Sequence, residues 1–167
     1  VDKLIQQILD FSRIDHHDTN IKEIDLDASC KELIDLLRFE HPTKTITFSS
    51  DAPTLIQGQK ELFGRALENV LRNACKYTED ARPINVTVAQ KSDLVLVKIR
   101  DHGHGIAEEE LPKLLQPFYR AGNQMHTEGF GLGLSIAQRA IEKINGKISL
   151  SNHPLGGLEV TLSFKPL

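Results

Sequence analysis

Two alternating runs leave few folds open to this chain. PINVTVAQ (83–90) and LVLVKIRD (94–101) are separated only by KSD. Apolar residues at every second position mark a strand with one buried face, and so short a connection joins two strands as a hairpin. A second pair, GKISLSN (146–152) and GLEVTLSF (157–164), closes the chain in the same way. Two hairpins impose antiparallel pairing, so the sheet is expected to be mostly antiparallel.

The rest of the chain supplies strands and helices in irregular alternation. IKEIDL (21–26) and TKTITFSS (43–50) read as strands, and DAPTLIQG (51–58) as a turn with a short strand. Helical spacing of apolar residues appears in 1–15 through Val1, Leu4, Ile5, Ile8, Leu9 and Phe11, and again in 27–42, which Pro42 stops. A long helix is expected over 59–77, with Leu62, Phe63, Ala66, Leu67, Val70 and Ala74 inward. A short helix is expected over 107–115, and the last helix over 132–144. HHDTN (16–20) reads as a linker and AGNQMHTE (121–128) as a mobile loop. The mixture predicts a two-layer α/β (α+β) sandwich.

Composition narrows the function. The 167 residues suffice for one core without metal or disulfide staples, and a net charge of −3 with no basic block gives nucleic acid nothing to bind. Cys30 and Cys75 lack a CxxC partner and read as buried thiols in a reducing compartment. No apolar run approaches the roughly 20 residues of a membrane span, and no signal peptide is visible. The chain opens inside a helix pattern without an initiator methionine, so it reads as a piece of something longer.

Three stretches suggest chemistry. In ENVLRNACKYT (68–78), Asn69, Asn73, Lys76 and Tyr77 share one helical face. Carboxamide oxygens and an ammonium there suit a hard cation and an anion, although such a face taken alone also reads as solvated polar surface. In VLVKIRDHGHGI (95–106), Asp101 ends the apolar row Val95, Val97, Ile99, so its carboxylate needs a donor. An adenine amino group would satisfy it; a strand ending in an ordinary Asp-Gly turn is the plainer alternative. In GFGLGLSIAQRA (129–140), three glycines at alternate positions open a helix. Each weakens a helix by about 1 kcal/mol relative to alanine, which close approach of a polyphosphate to backbone N–H groups would justify. A flexible loop is the other reading. PFYR (117–120) adds Arg120, which could reach phosphate, and Phe118, expected to pack in the core.

The order of these motifs resembles the catalytic, ATP-binding domain of sensor histidine kinases, within the wider gyrase, chaperone, kinase and mismatch-repair ATPase superfamily. The resemblance covers roughly residues 20–167. It implies three helices over a mixed five-stranded sheet, the Bergerat-type ATP-binding fold, with 18–167 as the catalytic domain and 1–17 as the end of a dimerisation and phosphoacceptor bundle. It implies ATP and Mg2+ as ligands, with Asn73 on the metal and Asn69, Lys76 and Arg120 in catalytic positions. Asn69, Asn73, Lys76 and Tyr77 match the N box; Asp101, Gly103 and Gly105, with Ile106 following, match the G1 box, Asp101 facing the adenine amino group. Pro117 to Arg120 match the F box. Gly129, Gly131 and Gly133, with Phe130, Leu132 and Leu134 between and after them, match the G2 box, and PLGGLEV (154–160) resembles the glycine turn of the closing hairpin.

The implied partners are the chain's own dimerisation domain and a response-regulator receiver domain. The implied whole protein is a membrane-anchored homodimer in the bacterial inner membrane, this part being its cytoplasmic domain and a monomer. None of the seven histidines lies in a phosphoacceptor context, so no internal target for the phosphoryl group is expected. His104, Phe130 and Leu158 depart from the family pattern and are expected to affect lid dynamics or affinity. Hydrolase relatives carry a glutamate where this chain has Asn69. A carboxamide is a poor general base, and Glu68 points about 100° away around the helix. A kinase is therefore favoured over an ATP-hydrolysing relative or a nucleotide-binding interaction module without turnover.

Overall fold

The computed structural model describes residues 2–14, 20–122 and 131–167. In chain order these form α1 (Asp2–Arg13), β1 (Lys22–Asp25), α2 (Leu26–Glu40), β2 (Thr45–Ser50), β3 (Leu55–Gly58), α3 (Lys60–Tyr77), β4 (Pro83–Lys91) and β5 (Leu94–Arg100). A 3-10 helix (Glu108–Leu115), α4 (Gly133–Lys143), β6 (Lys147–Asn152) and β7 (Leu158–Phe164) follow. The linker expected at 16–20 and the loop expected at 121–128 fall largely outside the described residues.

Five strands form a mixed sheet in the order β2-β4-β5-β7-β6. β4 pairs with β5, and β6 with β7, as the two antiparallel hairpins. β5 pairs antiparallel with β7, and only β2 runs parallel to β4. That pair is joined through α3, the kind of crossover a parallel pair requires. β1 and β3 pair apart from this sheet as a two-stranded ribbon.

One sheet face supplies Val86, Val88, Val95, Val97, Ile99, Val160 and Leu162, all buried under α2, α3 and α4. α3 presents every residue expected inward, and its Phe63 meets Phe164 of β7 edge-on with ring centroids 5.9 Å apart. Asp25 caps α2 by accepting from the Ala28 N–H at 3.0 Å. The segment expected as a short helix is a 3-10 helix instead, with Pro112 inside it. Proline has no N–H to donate, which suits short, tight turns better than a regular α-helix.

α1 lies against α3 and α4. Leu4 and Phe11 pack on the core, Ile14 is buried within it, Arg139 sits 4.2 Å from the centre of the Phe11 ring, and Asp10 pairs with Arg65 at 2.8 Å. Ile5, Ile8 and Leu9 remain exposed on the other side of the helix. Cys30 and Cys75 are free and buried; burial, reinforced by Asp27 and Asp25, pushes the Cys30 thiol up to about 12. Among the described residues, no helix is long and apolar enough to cross a membrane.

Candidate functional site

The strand that delivers Asp101 is the central β5, whose buried row Val95, Val97, Ile99 carries the carboxylate to the sheet's edge at 4% exposure. Its backbone N–H continues the ladder to the Leu158 carbonyl at 2.9 Å. Oδ1 accepts from the N–H groups of Leu158 (2.9 Å) and Gly103 (3.0 Å), so both backbone donors fall on the same oxygen. Burial pushes the Asp101 pKa upward, against the opposing pull of these two amides. The closing turn packs directly on this residue. Gly157 has φ +86°, and a Cβ there would stand 2.0 Å from the Asp101 carbonyl oxygen. No other residue type fits that approach.

Asp101 borders a cleft with Tyr77, Gly103, His104, Gly105, Ile106 and Leu158. Two side chains that the sequence reading missed hold its rim. Asn152, at the end of β6, accepts from the Ile106 N–H at 2.9 Å and donates to the Ile106 carbonyl and, at 3.1 Å, to Glu108. Thr78 accepts from the His102 N–H at 3.1 Å, and Lys44 donates to its carbonyl while pairing with Asp80 at 3.0 Å. Asn152 is a single polar residue beside a turn, and no local spacing announces its partner 46 positions away.

Tyr77 also borders a second, larger cleft. Asn69, Asn73 and Lys76 line it from α3, Arg120 from the segment after the 3-10 helix, and Gly131, Leu132, Gly133 and Leu134 from the start of α4. Four separate motifs thus converge on two adjoining hollows that share Tyr77. Gly129 and Phe130 lie outside the described residues. Gly131 has φ +74°, and a Cβ there would approach the Tyr119 carbonyl oxygen to 2.7 Å. The Phe118 N–H donates to the Gly131 carbonyl at 2.9 Å, tying the two ends of this region together. α4 begins here, so its unpaired N–H groups and positive dipole end face the cleft.

Side chains around this cleft are preset by local bonds. The Asn69 amide donates to the Arg65 carbonyl at 2.8 Å, and its Oδ1 lies 3.7 Å from where a Cβ on Gly133 would stand. Burial raises the Tyr77 pKa, and Arg120 opposes that rise. Glu110 accepts from the Tyr119 hydroxyl at 2.8 Å and the Gly122 N–H at 3.3 Å, anchoring one base of the loop. Phe118 corrects an expectation: it is 59% exposed rather than in the core. Its backbone takes φ +65°, and that left-handed turn leaves the ring outside while Tyr119 packs on the core.

Glu68 is engaged elsewhere. Arg72 reaches it at 3.0 and 3.1 Å and extends to Glu40 at 2.9 Å, holding the Glu40 carboxyl below its usual range. Gln7 of α1 and Arg72 also line the larger cleft, and neither was singled out from the sequence.

Comparison with known proteins gives consistent results. Residues 58–167 match the family described as "Histidine kinase-, DNA gyrase B-, and HSP90-like ATPase". The heme sensor protein HssS of Staphylococcus saprophyticus is 29% identical over 97% of this chain and 34% of its own length. The sensor histidine kinase CpxA of Escherichia coli K12 is 30% identical over 97% of this chain and 36% of its own. The chain thus spans about a third of the length of these relatives. The structure of full-length ShkA in complex with AMPPNP superposes with a TM-score of 0.82 at 20% identity, covering 98% of this chain and 35% of that one.

Proposed function

Because the chain belongs to the histidine kinase-, DNA gyrase B-, and HSP90-like ATPase family, we propose that its two adjoining clefts hold one ATP molecule for transfer of the terminal phosphoryl group to a histidine. Within that family it is an ATP-binding catalytic domain of the sensor histidine kinase type. The whole protein's reaction is proposed as phosphorylation of a histidine on its own dimerisation domain, followed by relay to a response-regulator aspartate. We divide the chain into α1 with its linker (1–17), as the end of that dimerisation bundle, and a catalytic domain (18–167). A membrane-anchored homodimer in the bacterial inner membrane is the corresponding proposal for the full protein.

The observation that carries this reading is Asp101: a buried carboxylate whose backbone donors both occupy Oδ1, at the floor of a cleft. Oδ2 is then the oxygen for the exocyclic amino group of adenine, a donor that guanine does not offer at that position. The polyphosphate would pass Tyr77 and run along α3 past Lys76 and Asn73 toward Asn69. Lys76 and Arg120 would neutralise its charge, and the first N–H groups of α4 would bind its oxygens. Gly103, Gly105, Ile106 and the 131–134 segment would shape the two ends.

Mg2+ fits the donor set. Among the described residues no group of three His, Cys, Asp or Glu could hold a metal alone, whereas the carboxamides of Asn73 and Asn69 line the cleft proposed for the phosphates. Magnesium commonly keeps its waters and leans on substrate phosphates, so Asn73 as its principal protein ligand is sufficient. It would supply charge neutralisation on the phosphates. The chain's own part in transfer is to align the terminal group and stabilise developing charge, as in phosphoryl transfer generally. With Glu68 bound to Arg72 and a carboxamide at 69, neither of these two positions offers a free carboxylate to activate water, which favours transfer over hydrolysis.

Calorimetric titration with ATP, ADP and GTP, with and without Mg2+, tests this reading. ATP binding that prefers Mg2+ and excludes GTP is expected, together with phosphorylation of a supplied acceptor bundle. Equal affinity for GTP would overturn the Asp101 assignment. ATP binding without transfer to any acceptor would leave a nucleotide-binding module.

A further inference from the structure

The larger cleft has a wall that the N, G1, F and G2 boxes do not supply. Gln7 of α1 lines it, and the Gln7 Oε1 is buried with no hydrogen-bond partner among the described residues. A buried acceptor without a donor is rare in folded proteins and calls for an explanation. Its position along α3 says which part of the nucleotide it would meet. Gln7 also borders a groove lined by Asp10, Arg65, Glu68 and Asn69, but not by Asn73, Lys76 or Tyr77. It therefore sits at the Asn69 end of α3. Tyr77, which borders the Asp101 cleft, lies eight residues further on, about 12 Å of helical rise.

The side chain is held there. Leu4, Gln7, Phe11 and Ile14 follow one another at spacings of three, four and three, and Asp10 stands three after Gln7 and four before Ile14, so all five share one face of α1. Asp10 is bound by Arg65 of α3 and Phe11 by Arg139 of α4, while Ile14 is buried. Three anchors from different parts of the fold fix one carboxamide at the far end of the cleft.

We propose that Gln7 is a positioning residue for the terminal phosphoryl group, so that a nucleoside triphosphate, but not a diphosphate, binds more tightly when α1 is docked. This rests on the nucleotide reading above. A carboxamide carries no charge to repel the phosphates. Its N–H groups donate to a phosphoryl oxygen, and its Oε1 accepts from a cation's water shell. Binding free energies are reciprocal, so ATP must hold α1 in place to the same degree that α1 holds ATP. The helix thereby reports to its own preceding segment whether a triphosphate is loaded.

The test is calorimetry on the whole chain with Mg·ATP and Mg·ADP, comparing wild type with Gln7→Ala, with thermal melts to verify folding. Loss of a hydrogen bond to a charged group predicts about a tenfold weaker ATP affinity, with ADP affinity within about twofold. Hydrogen exchange of the α1 amides should slow with ATP more than with ADP, and Gln7→Ala should abolish that difference. Equal losses for the two nucleotides, unchanged ATP affinity, or tighter ATP binding by Gln7→Ala would each overturn the inference. If folded wild type binds no ATP, the nucleotide reading itself fails. If it binds ATP regardless of residue 7, this inference fails alone.

Discussion

Gly157 and Asp101 lie so close that a single methyl group cannot separate them: a Cβ on the glycine would stand 2.0 Å from the aspartate carbonyl oxygen and 3.0 Å from Oδ1. The turn between β6 and β7 is therefore part of the proposed purine site, although it is more than fifty residues away in sequence. Gly157→Ala combines a left-handed φ with this overlap. It is expected to cost about 3 kcal/mol or more of stability and to weaken ATP binding, read by thermal unfolding and calorimetry. A variant with wild-type melting and wild-type ATP affinity would contradict the packing.

Asp101→Asn separates stability from recognition. An asparagine Oδ1 can keep both backbone donors, so stability at neutral pH should change by no more than about 1 kcal/mol. ATP affinity should fall about 100-fold, because a carboxamide offers the adenine amino group a donor in place of an acceptor.

The same residue has a pH signature. Its folded-state pKa is raised, so its stabilising contribution is complete below the ordinary aspartate range and is lost as pH rises through the folded value. ATP affinity is expected to run the other way, since the ionised carboxylate is the stronger acceptor for the proposed adenine contact: it should decline on acidification through that raised value. Asp101→Asn should flatten both dependences, and persistence of either in the variant would assign it to another group.

Asn152→Ala removes the clamp on Ile106. It leaves a buried N–H and its carbonyl unpaired, at a cost of about 2–4 kcal/mol, and should loosen the 103–106 segment and weaken ATP binding. Asn152→Asp keeps the acceptor for Ile106 but sets a second carboxylate against Glu108, so it should rescue only in part. Full ATP affinity in Asn152→Ala would show that the segment needs no such support.

Glu68→Gln distinguishes transfer from hydrolysis. The residue pairs with Arg72 in a half-exposed bridge, so stability should shift by less than about 1 kcal/mol. Background ATP hydrolysis should stay within about twofold of wild type. A drop beyond tenfold would make Glu68 a base and the chain a hydrolase.

Strict alternation and a clean apolar face made the two hairpins and α3 readable before any coordinates, because both periods are set by local backbone geometry. The Asp101 and Gly131 regions were readable for a similar reason: an aspartate closing an apolar row and glycines opening a helix break local preference, and such breaks call for a cause. Asn152, Thr78 and Gln7 obey local preference, so nothing in their neighbourhoods marks them; Asn152 and Thr78 gain partners, and Gln7 its place in the cleft wall, only from the tertiary fold. Phe118 misled for the converse reason. An aromatic residue implies burial on average, and the left-handed backbone that turns it outward is invisible in composition.

The suppressed thiols have a practical consequence. With burial pushing the Cys30 thiol up to about 12, little reactive thiolate forms at neutral pH, and Cys75 is shifted the same way. Alkylating probes should therefore pass over the native cysteines, so a dye or spin label attached to one cysteine substituted for exposed Ile8 would follow the first helix in an otherwise unaltered chain.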